Sequence, residues 1–297
     1  MTAFVLFLHR TAMSATPAAP TVSSTAPLPA IAFIGGGNMA SAIIGGLLRQ
    51  GMDAGQLEVV EPLAAARTAL REQYGIEAQA EAGPRLQRAG LVVWAVKPQT
   101  FHAAAQQVAP HTRQALHLSV AAGIRSSSMA HWLESERIVR AMPNTPALIG
   151  QGMTALFARP GVHADERQRV EQVLAATGEL LWVEEEAQLD AVTALSGSGP
   201  AYVFYFLEAM VQAGVDMGLP RAQAHRLAVG TFAGASELAH RSEEPPAVLR
   251  ERVTSKGGTT YAALQSLEQN GVQQHFVRAL EAARQRAHEL GDEFGGA

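Results

Sequence analysis

Two loops in this chain combine residue types that bind anions. Gly35, Gly36 and Gly37 follow a short apolar run, and a later loop, Val253–Tyr261, places hydroxyl groups, a lysine and two adjacent glycines before a helical pattern. Free backbone N–H groups at a helix start, together with the positive end of the helix dipole, attract anions. The first loop suits a dinucleotide pyrophosphate and the second a substrate carboxylate. The second loop is also consistent with a helix start that a side-chain hydroxyl caps.

The first loop matches the dinucleotide-binding fingerprint over six consecutive residues, which are Gly35, Gly36, Gly37, Asn38, Met39 and Ala40. Gly35 permits a tight turn, Gly37 lets the backbone approach the pyrophosphate, and the small Ala40 lets the helix pack on the strand. Because the loop lies between the apolar strand Ile31–Ile34 and a helix, it predicts cofactor binding. A tight turn in another α/β fold is the alternative.

Polar residues follow the next two predicted strands. Glu61 comes 24 residues after Gly37, where an acidic residue commonly bonds the ribose 2′-OH of NAD, whereas the nearby Arg67 suits a 2′-phosphate. A solvated Glu61 is a further alternative, so the choice between NADH and NADPH stays open. The other candidate segment consists of Ala95, Val96, Lys97 and Pro98. It follows the apolar residues Leu91–Trp94, and Pro98 ends the strand. The chain has two lysines, Lys97 and Lys256, and both lie in candidate loops.

Two further positions remain ambiguous from the residues alone. Asn144 lies in a turn bracketed by Pro143 and Pro146, where it presents its amide to a nicotinamide or only makes the loop rigid. Glu185 and Glu186 precede the helical half of the chain, and a charged pair at such a junction is usually solvated. Contact of this pair with a cationic substrate is the alternative.

The elements that must position these residues alternate between strand and helix. The pattern predicts helices at residues 39–50 and 64–73, and strands at residues 31–34, 57–60, 91–96, 116–120, 137–141 and 180–183. This order predicts a parallel sheet wrapped by helices. Helices alone follow after about Gln188, at residues 200–217, 221–240, 246–253, 259–270 and 272–290. We therefore expect a disordered leader at 1–29, a dinucleotide-binding domain at 30–187 and a helical domain at 188–297.

The helix segment Tyr202–Met210 is apolar on nearly every side and must be covered all round. A small helical domain cannot bury it alone, which predicts a subunit interface.

Composition narrows the function further. The net charge of −4 gives no reason to expect nucleic-acid or anionic-membrane binding, and no stretch is long and apolar enough to span a bilayer. Cysteine is absent, which excludes disulfides and a thiolate nucleophile and fits a reducing cytoplasm. No metal-ligand spacing is present. Arg10 follows the short apolar run of the leader, so the leader is unlike a secretory signal, and translation starts at Met1 or Met13.

From about Ile31 to Leu290, the chain resembles pyrroline-5-carboxylate reductases. The resemblance rests on six segments that occur in this order, which are Phe33–Met39, Ala95–Gln99, Ser119–Ile124, Met142–Pro146, Leu195–Tyr202 and Ser255–Thr260. Many members have proline where this chain has Lys256. The resemblance implies an α/β Rossmann-type parallel sheet domain followed by an all-α dimerisation domain. It also implies a homo-oligomer, either a dimer or a ring of dimers, whose site lies between one subunit's cofactor domain and the partner's helical domain.

The implied reaction is reduction of Δ1-pyrroline-5-carboxylate to L-proline by NADPH or NADH, the last step of proline synthesis. The resemblance adds Ala121, Ala122 and Gly123 to the cofactor-binding residues. It places the substrate carboxylate on Ser255 and on the N–H groups of Gly257, Gly258 and Thr259. It places the Thr260 hydroxyl on the ring nitrogen, as the catalytic group, and Glu186 near the substrate. Such chemistry needs positioning more than a protein nucleophile or metal.

Two other functions remain as alternatives. A β-hydroxyacid dehydrogenase has a similar architecture but carries a catalytic lysine on a helix of its second domain, and the helix from Pro200 has none. A nucleotide-binding redox regulator needs no second anion loop.

Overall fold

The structure, a computed structural model, describes residues 28–295. All but the last two residues of the predicted leader lie outside this range. The strands are β1 (Ile31–Ile34), β2 (Leu57–Val60), β3 (Leu91–Trp94), β4 (Leu116–Ser119), β5 (Ile138–Met142), β6 (Gly152–Ala158) and β7 (Gly178–Trp182). They form one sheet in the order β2-β1-β3-β4-β5-β6-β7. The six predicted strands are all present, and their ends agree within two residues.

The prediction of a parallel sheet is confirmed except at the strand β6. This strand was not predicted, and it pairs antiparallel with β5, whereas the other neighbouring strands of this sheet pair in parallel. The connection from β5 to β6 contains only a short 3₁₀ turn, Thr145–Ile149. A parallel return needs a crossover of a dozen residues or more, so the chain reverses direction here.

Five helices cover the two faces of the sheet, and they are α1 (Asn38–Arg49), α2 (Ala64–Tyr74), α3 (Pro98–Thr112), α4 (Ser126–Leu133) and α5 (Ala164–Leu174). Residues of α1, α2 and α5 share one apolar cluster with alternate strand residues, and residues of α3 and α4 share a second cluster with the others. Burial on both faces explains why β1 and β3 are continuous apolar runs. The predictions included α1 and α2 but missed α3, α4 and α5.

One histidine lies inside this core. His117 in β4 is buried, and its Nδ1 accepts a hydrogen bond of 3.2 Å from the Trp94 indole. Its Nε2 has no hydrogen-bond partner among the described residues. Burial, aided by the positive charge of Arg137, lowers the pKa of His117 to about 4. The imidazole is therefore a neutral core group, far from the usual titration range of histidine.

The remaining helices are α6 (Gln188–Val192), α7 (Gly199–Asp216), α8 (Arg221–Arg241), α9 (Pro246–Arg252), α10 (Thr259–Gln269) and α11 (Val272–Gly295). A π-helical turn, Thr193–Gly197, joins α6 to α7. On α7, Phe204 is 57% and Tyr205 is 70% exposed, which agrees with the prediction that one chain leaves this helix uncovered. Within residues 28–295, no helix has the length and apolar character needed to cross a membrane.

Candidate functional site

Gly35 fixes the glycine-rich loop at the point where the sheet changes its winding direction. Its φ is +96°, and an added Cβ atom would lie 2.6 Å from the carbonyl oxygen of Ala95. Its N–H donates a 2.8 Å hydrogen bond to the carbonyl of Val60 at the end of β2. Only glycine combines this positive φ with so close an approach to the Ala95 carbonyl at low cost. The loop therefore lies in the crevice between β1 and β3, where open α/β sheets bind ligands.

Gly37 leaves the space in front of this loop open. A Cβ atom added to Gly37 would have no neighbouring atom within 4 Å. The helix α1 begins at the next residue without a side-chain cap. A cleft of about 430 Å³ beside the loop is lined in part by Gly36, Gly37 and Asn38. The loop residues thus fit an anion such as a pyrophosphate, which uncapped N–H groups and the helix dipole would stabilise.

Glu61 contacts the glycine-rich loop directly. Its Oε2 accepts the Gly36 N–H and its Oε1 accepts the Leu63 N–H, each at 2.8 Å. The residue is only 7% exposed, so the alternative of a solvated surface glutamate is wrong. The Arg67 Nη1 donates to the carbonyl oxygens of Glu61 and Pro62, at 2.9 and 2.7 Å.

The loops after β3 and β4 lie beside the glycine-rich loop because their strands are neighbours in a parallel sheet. Ala95 touches Gly35, and Lys97 is exposed immediately before α3, which also lacks a side-chain cap. The Ala121 N–H is bonded to the Ser119 hydroxyl at 3.3 Å. Gly123 has a φ of +73° and packs against Leu290 of α11. The loop after β4 therefore joins the crevice to the helical half.

Asn144 acts as a brace in this structure. Its Nδ2 donates to the carbonyl of Ser196 at 3.1 Å, and its Oδ1 accepts the Met153 N–H at 2.9 Å. These bonds connect the end of β5 with β6 and with the π-helical turn before α7. The structure therefore shows the rigid-loop alternative, and a contact between Asn144 and nicotinamide stays a prediction.

Glu186 is engaged inside the chain. Its Oε1 accepts the Ser126 N–H and the Arg140 Nη1, each at 2.6 Å, and its Oε2 accepts the Ser126 hydroxyl at 2.5 Å. Burial alone would raise the pKa of the Glu186 carboxyl. The Ser126 hydroxyl bond, the charge of Arg140 and the Ser126 N–H outweigh burial and hold that pKa below its ordinary value. Glu186 thus joins α4 and β5 to the start of the helical half, whereas Glu185 is exposed.

Ser126 and Arg140 are partners of Glu186 that were not predicted from the sequence. Arg140 stands inside an otherwise apolar strand, and a charged residue in a buried strand indicates a buried partner. That signal was available. Nothing in the sequence marked Ser126 as a member of the cluster.

Within residues 28–295, the second candidate loop, which spans residues 253–258 between α9 and α10, makes local hydrogen bonds. The Thr254 hydroxyl donates to the Arg250 carbonyl, and the Gly258 N–H donates to the Ser255 carbonyl. The helix α10 begins without a side-chain cap, so the alternative of a capping hydroxyl is not what the structure shows. Gly257 has a φ of +73°. The N–H groups at the start of α10 remain open to an anion.

The structure brings the predicted residues together in two separate groups. The cofactor candidates share the crevice edge of the sheet. In the described part of the chain, no hydrogen bond connects the loop 253–258 to that edge. Among the described residues, the two groups are therefore not bonded to each other.

Two family models match the sequence. The model described as pyrroline-5-carboxylate reductase dimerisation matches residues 186–290. The model described as NADP oxidoreductase, coenzyme F420-dependent, matches residues 30–123.

Proteins similar to this chain carry the same family name. The pyrroline-5-carboxylate reductase of Pseudomonas aeruginosa is 45% identical over 269 residues, covering 90% of this chain and 98% of that protein. A solved structure of the Coxiella burnetii enzyme matches with a TM-score of 0.82 at 36% identity, covering 89% of this chain and 99% of that chain. The Plasmodium falciparum enzyme, solved with NADP bound, matches with a TM-score of 0.80 at 28% identity, covering 89% and 98%. Matches of this extent and identity show that the chain belongs to the pyrroline-5-carboxylate reductase family.

Proposed function

We propose that the chain reduces the C=N bond of Δ1-pyrroline-5-carboxylate to L-proline, with the crevice at Gly35–Met39 and the loop at Ser255–Thr260 as its two binding sites. Membership of the family supports the activity and confirms the predicted class, an NAD(P)H-dependent oxidoreductase of proline synthesis. The observation that carries the residue assignment is that each loop places adjacent glycines directly before a helix, α1 or α10, whose first N–H groups no side chain caps.

The cofactor-binding residues in this proposal share the carboxyl edge of the parallel strands, and they are Gly35, Gly36, Gly37, Asn38, Met39, Glu61, Ala95, Val96, Lys97, Pro98, Ala121, Ala122, Gly123 and Asn144. The reduced nicotinamide supplies the hydride. In this proposal, the N–H groups at the start of α1 hold the pyrophosphate. The crevice keeps the reacting face of the nicotinamide away from the solvated side of the loops.

The substrate-binding residues are Ser255, Gly257, Gly258, Thr259 and Thr260. The N–H groups of Gly257 and Thr259 hold the carboxylate, and the Ser255 hydroxyl adds a bond to it. Gly258, whose N–H donates to the Ser255 carbonyl, shapes the turn between them. The Thr260 hydroxyl orients the ring nitrogen, which already carries its proton in the reactive iminium form. Hydride reaches the adjacent carbon, and the π electrons of the C=N bond become the lone pair of the amine. Glu186 lies near the substrate in this proposal. Because Ser126 and Arg140 already occupy both of its oxygens, it acts by holding the loop after β4.

We also propose that the functional unit is a homo-oligomer, a dimer or a ring of dimers, in the cytoplasm. The family description of residues 186–290 as a dimerisation region supports the oligomer, and so does the exposed apolar surface of α7. A partner's loop 253–258 would complete the site that one chain leaves in two parts. The same proposal places a domain boundary between residues 187 and 188, after β7 and directly before α6.

The test is oxidation of NADH or NADPH on addition of pyrroline-5-carboxylate, with a β-hydroxyacid plus NAD(P) as the control reaction. Thr260→Ala loses one hydrogen bond to a positioned substrate, which costs about 1–3 kcal/mol, or roughly ten- to a hundredfold in kcat/KM. Cofactor affinity should be nearly unchanged in this variant. Ser255→Ala should mainly raise KM, because the carboxylate is held alike in the ground and transition states.

Circular dichroism of both variants checks the fold. If both turn over pyrroline-5-carboxylate like the wild type, the loop is not the substrate site. Turnover of a β-hydroxyacid alone would favour the alternative dehydrogenase.

A further inference from the structure

A small cavity lies behind the loop after β4, on the side of this loop that packs against α11. Its volume is about 170 Å³, and the residues that line it come from that loop, from β5, from α6 and the turn before it, and from α11. Gly123 borders the cavity on the side that faces Leu290. Because β4 separates β5 from β3 in the sheet, the cavity is separate from the crevice between β1 and β3. Binding there does not require the proposed reaction.

Arg140 gives this cavity a buried cation with unused hydrogen-bond donors. The residue is 9% exposed. Within residues 28–295, its side chain donates one hydrogen bond, from Nη1 to Glu186 at 2.6 Å. Its Nε and Nη2 have no acceptor in that part of the chain, and neither atom is sealed off from the cavity that the side chain lines. Since unpaired donors of a buried cation cost free energy, this edge of the guanidinium requires an acceptor that enters the cavity.

Asp190 gives the same cavity an anion with a free oxygen. Its Oδ2 lies 3.2 Å from Nδ1 of His288, and its Oδ1 has no hydrogen-bond partner among the described residues. The other charged residues of the lining already have partners. Both oxygens of Glu186 are occupied, and Arg125 is paired with Asp292 at 2.5 Å. A ligand in this cavity therefore meets one open cation and one open carboxylate oxygen.

This pair of charges selects a ligand that carries both signs. A simple anion would be attracted by Arg140 but repelled by Asp190, and a simple amine would meet the opposite conditions. The Nε–Nη2 edge of a guanidinium binds a carboxylate through two parallel hydrogen bonds. The size also limits the ligand, since a cavity of roughly 150 Å³ holds a molecule of about six heavy atoms.

We propose that this cavity binds a small zwitterionic α-amino acid. Its carboxylate accepts from Nε and Nη2 of Arg140, and its ammonium group donates to Asp190. The bound amino acid connects β5 with α6 at the place where α11 packs on the loop after β4.

The experiment is calorimetric titration of the full chain, without cofactor or substrate, with three probes of similar size. L-alanine carries both charges, propionate carries the carboxylate alone and ethylamine carries the ammonium alone. L-alanine should bind at least about tenfold more tightly than either of the others, because each of them lacks one charge-assisted contact. An equal affinity for propionate and L-alanine would overturn the proposal, and so would a folded wild type that does not bind L-alanine.

Asp190→Asn removes the anion with little change of shape. It should weaken L-alanine binding at least about tenfold without weakening propionate binding, since propionate makes no contact that the variant loses. Asp165→Asn is the matched control, because Asp165 is exposed on α5, pairs with Arg169 and gives the same change of net charge. L-alanine affinity in Asp165→Asn should equal that of the wild type. Wild-type affinity in Asp190→Asn would show that Asp190 does not hold the ammonium group.

Two further variants locate the bound L-alanine. Arg140→Lys keeps a positive charge beside Glu186 but lacks the planar guanidinium, so a folded Arg140→Lys should bind L-alanine at least several-fold more weakly. Unchanged affinity would overturn the carboxylate assignment. Ser255→Ala should bind L-alanine like the wild type. Loss of binding in Ser255→Ala would place L-alanine in the proposed substrate loop, which removes this proposal and leaves the proposed function intact. A wild type that binds L-alanine as described but does not reduce pyrroline-5-carboxylate would remove the proposed function alone.

Discussion

Replacing Gly37 tests whether the glycine-rich loop binds the dinucleotide. In the structure, Gly37 has φ −74° and ψ −170°, an extended conformation that other residues adopt, and an added Cβ atom meets nothing within 4 Å. Gly37→Val should therefore fold. Valine is a poorer residue than glycine before a helix, and we expect a loss of about 1 kcal/mol or less in the free energy of unfolding.

The effect on binding should be much larger. The valine side chain would fill the space through which a pyrophosphate reaches the N–H groups of α1. Loss of two hydrogen bonds to a charged group, at about 1.5–3 kcal/mol each, weakens binding by about 3–6 kcal/mol. That is roughly a hundred- to ten-thousandfold in the dissociation constant.

Gly35→Ala provides the contrast. It combines a positive φ with a Cβ only 2.6 Å from the Ala95 carbonyl oxygen, so it should cost stability, by about 2–5 kcal/mol. Urea unfolding gives the stabilities of both variants, and fluorescence titration with NADH and NADPH gives the affinities. A folded Gly37→Val that binds both dinucleotides with wild-type affinity would refute this assignment of the loop.

The other predictions concern stability and assembly. His117 should make stability fall as pH decreases, because the unfolded chain takes up a proton near pH 6.5 and the folded chain only near 4. Between pH 8 and pH 5 this proton uptake lowers the free energy of unfolding of the wild type by about 2 kcal/mol. Urea unfolding should therefore show that His117→Gln loses about 2 kcal/mol less of its free energy of unfolding over that interval. Equal losses would show that His117 is not a buried neutral group. Glu186→Ala should lower the free energy of unfolding by about 1.5–3 kcal/mol, below the full cost of breaking a buried pair because the Glu186 side chain is 26% exposed. Glu186→Gln should lose less, since its amide oxygen can accept the Ser126 N–H and its NH₂ can donate to the Ser126 hydroxyl oxygen. An effect of Glu186→Gln on the substrate KM alone would instead indicate direct substrate contact. Finally, sedimentation should show a dimer or larger wild type, and Tyr205→Glu should shift it toward monomer because it places a charge on the exposed apolar face of α7; a stable, active wild-type monomer would contradict the interface.

Local patterns in the sequence were sufficient for much of the fold. The unit formed by β1, the glycine-rich loop and α1 was predicted because an apolar run, a tight turn and a helix follow each other directly. The helices from α7 onward were predicted because proline and glycine mark their ends and apolar residues repeat at helical spacing. Such signals depend only on residues that are close to each other in the sequence.

Elements whose signals are weak or whose partners are distant were not predicted. The helix α3 starts at Pro98, which the sequence indicated only as the end of a strand, and it contains a second proline, Pro110. The direction of β6 depends on its pairing with β5 across a short connection, and no residue of β6 itself encodes that choice.

The candidate site shows the same division. The sequence by itself determined which residues have the chemistry to bind anions, because glycines before a helix and hydroxyl groups beside them are recognisable wherever they occur. Only the tertiary structure decided what their neighbours do. It turned Glu61 onto the Gly36 N–H, 25 positions away, and it joined Glu186 to Ser126 across 60 positions. Strand order and domain packing bring these partners together, and the burial of a charged or polar group then requires that each finds a partner.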